Sequence, residues 1–511
     1  MKKLYSIMLC LAIFSFGNAQ KIENNKIKLM DNESYNDYNN EFVFHATSDE
    51  NNYYIDYFQQ SFQMLSIGSL IKTENTFVII DKSLKTMRKF VLNFQKGDTY
   101  RATLFTENFV GIICDNYDKK KKEMNIILKK YSKQTGEFIA DITFAKVKTP
   151  SWNPWFYYSL SPDEKKFGFV FFVENQQEKF DEYHSFVLDL ENNAEIIWKQ
   201  TNNLKIANDN FNLSDIQINN EGTMYIVFNS KPNNKKTIDR NYYTDITILN
   251  ENTNENTSVK SKYNEINNRS TKHTLLKNGN LFVSNLLVLN EKNKKGEEKY
   301  ILNTIICDKD NADIVENNYF DLPALENKKM VKSSHSLVPK KTNINERIKD
   351  VIELENGDIA TLIEQFYDLM MRDKYGVSYF HVRGNIITVL TNQKAVVEST
   401  NVYERFQESP LIKYLNLSYF SRNDDIFYLF NEDKDNYIGK KNIFDLKKYE
   451  NAAFVCNKVS KEDSKLNFIT QKNGSDLKSF QNIVYDDKKE NKLLILTVNL
   501  KTIDIELLTI E

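Results

Sequence analysis

Residues Ile216-Gln217-Ile218-Asn219-Asn220-Glu221-Gly222 lead into Met224-Tyr225-Ile226-Val227-Phe228, and this passage sets the reading of the whole chain. A polar turn ending in glycine separates two runs rich in β-branched and aromatic residues, the composition of two strands joined tightly. The arrangement recurs in both directions. Downstream, Asn278-Gly279 precedes Leu281-Phe282-Val283, Asn356-Gly357 precedes Ile359-Ala360-Thr361-Leu362, Asn423-Asp424 precedes Ile426-Phe427-Tyr428-Leu429, and Lys488-Lys489 precedes Leu493-Leu494-Ile495-Leu496. Upstream, the strings Thr73-Glu74-Asn75, Thr106-Glu107-Asn108 and Ser161-Pro162-Asp163-Glu164 each stand before an Ile/Val/Phe run. Asn-Gly favours a two-residue hairpin because both positions tolerate positive φ.

The turn centres Glu107, Glu164, Glu221 and Asn278 are spaced by 57 residues, and Asn356, Asn423 and Lys488 follow at 78, 67 and 65. The polar stretch 327–349 reads as a loop that lengthens the widest interval. Between turns, a third strand such as His184-Ser185-Phe186-Val187-Leu188 and a fourth such as Glu195-Ile196-Ile197-Trp198 complete a unit. Four strands per unit, repeated radially, make an all-β fold, a β-propeller of seven or eight four-stranded blades forming a single domain. Residues 66–511 hold the repeats, and 20–65 form an N-terminal segment that closes the ring. Because Glu74 to Glu107 is a short interval, Glu41-Phe42-Val43-Phe44 is expected to pair with the terminal strands near Ile503-Asp504-Ile505-Glu506-Leu507-Leu508.

The repeat pattern resembles the β-propeller superfamily at large. Leu160-Ser161-Pro162-Asp163-Glu164-Lys165-Lys166-Phe167 resembles the S-P-D-G-K signature of TolB-like and prolyl-oligopeptidase-type propellers, with Glu164 where that signature has glycine. The resemblance implies an architecture and no particular activity.

Residues 1–19 read as a secretory signal peptide: Lys2 and Lys3, an apolar run from Leu4 to Phe16, and Gly17-Asn18-Ala19 as the cleavage site. The chain is therefore expected to be exported, to the periplasm, the cell surface or the extracellular space, with no transmembrane segment, since no later run reaches the length a spanning helix needs. The formal net charge of −2 excludes a global basic field for nucleic acid. The 34 Phe and 28 Tyr, set against 14 Gly and 7 Pro, exclude disorder and favour strands. Cys114, Cys307 and Cys456 sit in apolar runs without C-x-x-C spacing and read as buried thiols.

Chemistry is sparse. The five histidines, His45, His184, His273, His335 and His381, are scattered, and no P-loop, dinucleotide fingerprint, nucleophile elbow or zinc motif occurs. No cofactor and no metal site are expected, and the catalytic residues, if any exist, are not identified. Asp308-Lys309-Asp310-Asn311-Ala312-Asp313 and Asp433-Lys434-Asp435-Asn436 read as hairpin turns rather than calcium loops.

Two segments are candidates for recognising a protein or glycan partner. Ser151-Trp152-Asn153-Pro154-Trp155-Phe156-Tyr157-Tyr158, read as a loop, offers Trp152, Trp155, Phe156 and Tyr157, whose flat rings suit sugars or partner side chains. Phe366-Tyr367-Asp368-Leu369-Met370-Met371, read as a long connection, offers Met370 and Met371. Both segments also suit core packing. The leading expectation is a non-catalytic binding module, a subunit of a bacterial envelope assembly being one such role. The alternative is a polysaccharide-active hydrolase or lyase using carboxylates at the channel mouth, and a plain scaffold stays open as well.

Overall fold

The computed structural model describes residues 22–509 except 32–41, 66–67, 93, 95–96, 151–153, 173–181, 205–209, 232–241, 264–265, 293–297, 327–344, 374–375, 406, 410–416, 434–443, 446–451, 460–463, 471–478 and 499–501. Eight sheets, antiparallel except where Gln407 and Glu408 pair in parallel with Phe444 and Asp445, form the blades of a propeller ring. In ring order the inner strands are Phe42–Ser48, Asp98–Phe105, Trp155–Leu160, Asn210–Ile218, Ile266–Leu275, Asn345–Glu353, Ser418–Arg422 and Ser479–Asp487.

Blade 8 takes its three inner strands from the C-terminal part of the chain and its outer strand from Ile22–Asp31, which runs antiparallel to Thr502–Thr509 with Ile27 opposite Ile505. The closing strand is therefore not Glu41-Phe42-Val43-Phe44. Phe42–Ser48 is instead the inner strand of blade 1, with Phe44 opposite Tyr57. The reason is local: Asp49 accepts the amides of Asn51 and Asn52, both at 2.8 Å, and turns the chain straight back into Asn52–Leu65. Thr73-Glu74-Asn75 is not a turn at all but lies within the continuous strand Gly68–Asp81. Placing the first turn at Glu50 restores the repeat, since Glu107 follows 57 residues later.

Second strands are buried on both faces because each blade packs between two others. In Lys166–Phe172 every residue from Phe167 to Phe172 is buried, and Phe169 stacks on Phe186 at 4.8 Å. Each fully buried aromatic of this kind contributes about 2–3 kcal/mol. Outer strands face water, as in Val397–Tyr403, where half-buried and exposed residues alternate. Apolar clusters fill the interfaces between neighbouring blades from 8–1 round to 6–7, while Arg422 of blade 7 grips Asp486 of blade 8. One short helix, α1 (Pro323–Glu326), follows blade 5, and its Leu325 is buried in the cluster between blades 5 and 6.

The hairpin turns after the inner strands share one end of the ring. Gly222, Gly279 and Gly357 take φ of +89°, +89° and +85° there, which only glycine adopts without strain. Glu164 stands at the corresponding turn of blade 3 with φ +58°, so the glycine its surrounding string lacks is missing where the backbone calls for one. At the opposite end, blades 1 and 6 extend long hairpins, Asn52–Leu65 with Gly68–Asp81 and Ile359–Asp373 with Gly376–Thr391.

Cys114 and Cys307 are buried free thiols, whereas the side chain of Cys456 lies outside the described residues. Asp308 accepts the amides of Asp310 and Asn311, which makes that acidic stretch a side-chain-capped turn. Most of the second acidic stretch, 434–436, lies outside the described residues. Among the described residues no helix is long and apolar enough to cross a membrane.

Candidate functional site in the central channel

One position recurs six residues before the turn centres of blades 2 to 6, and it is occupied by Arg101, Tyr158, Asp215, Lys272 and Asp350. The shared position places these side chains on the inner strands, at the channel. In blades 2, 4 and 6 the inner strand carries a β-bulge next to it, with register shifts between Tyr100 and Ala102, Leu213 and Asp215, and Ile348 and Asp350. A bulge inserts an unpaired residue and re-aims its neighbours, so polar side chains can leave the apolar interface between blades.

The polar groups contact one another around the wall. Lys272 Nζ reaches Asp215 Oδ2 at 2.9 Å, and both side chains are about one-third exposed. Asp350 accepts a hydrogen bond from Tyr419 of blade 7 and lies within the field of Lys272 and Asp215. Burial raises the Asp350 carboxyl above its usual range, and Asp215 adds to that, while Tyr419 and Lys272 oppose it. Tyr158 spans the front of blade 2 to share a hydrogen bond with His45 of blade 1, its hydroxyl 3.2 Å from Nε2. Burial lowers the His45 imidazole to about 4 and raises the Tyr158 phenol to about 12, so at neutral pH the pair consists of two neutral groups.

Behind this pair stands Asp56, directly opposite His45 in the ladder of blade 1 and wholly buried. Thr103 and Asn75 donate to its Oδ2, and its Oδ1 has no hydrogen-bonding partner among the described residues. Burial raises this carboxyl to about 7 against those two hydrogen bonds. Tyr100 completes the group, with its hydroxyl 2.9 Å from Thr103 Oγ1.

The candidates named from the sequence fall on one end of the ring but on different blades. Trp152 lies outside the described residues. Trp155, Phe156 and Tyr157 do not form a loop: they begin the inner strand of blade 3, where ladder pairing with Phe172, Phe171 and Val170 takes up the backbone. Trp155 is 37% exposed there, Phe156 stacks against Phe169 at 5.4 Å inside the core, and Tyr157 meets the edge of Phe172. Met370 and Met371 are not in a connection either, since they extend the second strand of blade 6 opposite Tyr379 and Ser378. His45, Tyr158, Asp215, Lys272, Asp350 and Tyr419 were missed as a set. The 57-residue interval that finds the turns also finds four members of the column when shifted by six.

A cavity of about 820 Å³ opens at the short-turn end over blades 1 to 3. Several of its polar groups pair with one another: Asp49 accepts from Tyr54, Lys133 stacks over the Tyr54 ring at 3.9 Å, and Lys165 pairs with Glu191. The channel wall, with its phenols, imidazole and partly open ion pair, holds the more reactive set.

No family model and no curated protein matches the chain. Among solved structures, the polysaccharide lyase Uly1 is similar at 10% identity and a TM-score of 0.38, over 82% of this chain and 94% of that one. An ulvan lyase described as a new family of polysaccharide lyase gives 12% identity and a TM-score of 0.37, over 80% and 91%. The β-propeller domain of the Trilobed protease from Pyrococcus furiosus gives 10% identity and a TM-score of 0.34, over 84% and 96%. Likeness at this level carries nothing about activity, and the ring rests on its own strand pairing.

Proposed function

We propose that this chain is an exported binding module whose channel wall takes a glycan. The observation that carries the reading is the column Tyr158, Asp215, Lys272 and Asp350, repeated blade by blade with His45 and Tyr419 beside it. Phenol faces and alternating donors and acceptors suit a hydroxyl-rich ring, which needs both an apolar surface and several directed hydrogen bonds. Lys2 and Lys3, the apolar run after them and Gly17-Asn18-Ala19 support export.

Calorimetric titration of the full chain with a panel of oligosaccharides tests this. Binding should occur, and Tyr158→Phe or Asp215→Asn should weaken it about tenfold, the effect of losing one directed hydrogen bond. A panel without a binder, or one bound equally by both variants, contradicts the reading.

A second reading, a polysaccharide lyase or hydrolase, is favoured by one contact. The neutral His45 imidazole against the Tyr158 hydroxyl is a pair able to pass a proton. Incubation of wild type with the bound oligosaccharide separates the two readings: ultraviolet absorbance of an unsaturated sugar marks elimination, new reducing ends alone mark hydrolysis, and an unchanged ligand marks binding.

A further inference from the structure

The channel wall of blade 6 carries more positive charge than its carboxylates neutralise. Four cations meet there: Arg347 and Lys349 on the inner strand, Arg383 on the third strand, and Arg405 in the chain that follows the outer strand. Two carboxylates touch them. Glu364, 1% exposed, accepts from Arg405 at 2.8 Å and from Arg347 at 2.8 Å, and Asp368 accepts from Arg383 at 2.8 Å. Lys349 Nζ stays 3.9 Å from Glu364, beyond hydrogen-bonding distance. The nearby Glu346 turns to the other face of the sheet, where Tyr300 of blade 5 donates to it.

Three further observations point to an anion-binding site. Arg405 is 3% exposed, and its Nη1 is buried with no hydrogen-bonding partner among the described residues. The Arg347 and Arg383 guanidiniums lie 4.6 and 5.7 Å from the Phe366 ring, which fixes both planes. Burial lowers the Lys349 amine, and Arg347, Arg383 and Arg405 lower it further against the single opposing influence of Glu364. Yet the cluster is reachable from the channel, with the side chains of Arg347 and Lys349 38% and 25% exposed.

We infer that Arg347 and Lys349 of blade 6 hold an oxyanion group of the ligand, a carboxylate or a sulfate ester, with the buried Arg383 and Arg405 behind them fixing the site. Resting on the glycan reading, this makes the ligand an acidic saccharide, bound by its hydroxyls across blades 3 to 5 and by its anion at blade 6. Planar guanidiniums suit either oxyanion because two N–H groups can meet two oxygens at once.

Lys349→Gln is the chosen variant, since it removes one cation without uncovering Glu364. The first measurement is the unfolding midpoint of the full chain in sodium sulfate and in sodium acetate, against sodium chloride at equal ionic strength. Wild type should gain stability in sulfate or acetate over chloride, and K349Q should gain distinctly less. Equal gains in both proteins, or no gain in wild type, overturn the anion site whatever the ligand. The second measurement is calorimetric titration with oligogalacturonate, dextran sulfate and neutral dextran oligomers. A carboxylate ligand favours the first, a sulfate ester the second, and K349Q should weaken the favoured one about five- to tenfold while leaving dextran unchanged. An acidic oligomer bound no tighter than dextran overturns the acidic-ligand inference and leaves the glycan reading standing. Binding of sulfate or acetate without any oligomer keeps the anion site and removes the glycan reading.

Discussion

Asp56 of blade 1 and Glu364 of blade 6 are both buried carboxylates on the second strand of a blade with an extended hairpin, and their surroundings drive them to opposite charge states. Asp56 receives only neutral donors, Thr103 and Asn75, so burial prevails and raises it to about 7. Burial acts on Glu364 too, but Arg405, Lys349 and Arg347 overcome it and hold the group down to about 2. The cost of burying a carboxylate is thus met in two ways around one ring, by keeping the proton or by supplying cations. The channel wall follows suit: imidazole, phenols and a proton-holding acid gather near blades 1 to 3 beside the Arg101–Asp115 pair, and ion pairs and cations prevail from blade 4 to blade 6.

The largest effect that could break this contrast comes from removing a cation. Arg405→Met leaves Glu364 without its nearest buried partner and should cost about 3–5 kcal/mol in urea unfolding. A loss below about 1 kcal/mol would mean that Arg347 and Lys349 suffice, and that the cluster is less tightly coupled than the geometry indicates.

Next comes the pH dependence, where the two acids act in opposite directions. The Asp56 carboxyl is raised on folding, so its contribution is complete below the unfolded value near 4 and is lost as pH rises through about 7. Over that window wild type should lose up to about 4 kcal/mol relative to Asp56→Asn, which has no proton to lose. Glu364 is depressed, so its contribution is present above the unfolded value and is lost as pH falls toward about 2. Glu364→Gln should flatten the acid limb of the stability curve and leave the alkaline limb alone. Stability curves for the two variants that bend at the same end would refute the contrast.

The smallest effect carries the comparison from buried acids to turns. Glu164→Gly relieves a left-handed backbone that Gly222, Gly279 and Gly357 adopt freely in blades 4, 5 and 6, and should raise stability by about 0.5–1 kcal/mol. An unchanged or lowered stability would show that Glu164 contributes contacts that offset its strain.

The legibility of the fold in the sequence divides in the same physical way. Turns at Asn278-Gly279 and Asn356-Gly357 were readable in place because their chemistry is local, but they are not two-residue hairpins: each connection runs longer, and only the glycine takes positive φ. The ring closure was legible in outline, since an N-terminal segment does pair with the terminal strand Thr502–Thr509, but the segment was misplaced. Ile22–Asp31 offers little apolar alternation to mark it as that partner, so ladder pairing rather than pattern decides it. The first turn was misplaced because Thr73-Glu74-Asn75 repeats the string of a true turn, Thr106-Glu107-Asn108, while the true turn at Asp49 is capped by a side chain. At the candidate site, aromatic density drew attention to 151–158, and the strand starting at Trp155 does supply Tyr158 to the channel. Asp215, Lys272 and Asp350 carry no local motif, and their relation emerges only when equivalent positions of successive blades are aligned. Arg383 and Arg405, brought together by pairing within blade 6, leave no spacing to detect.

The most direct test of the channel as the site is a crystal structure of the full chain with the tightest-binding oligosaccharide of the panel. The account predicts sugar density in the channel, against Tyr158 and within hydrogen-bonding distance of Asp215 or Lys272. Density confined to the short-turn cavity over blades 1 to 3, or to the outer edge of a blade, would contradict it.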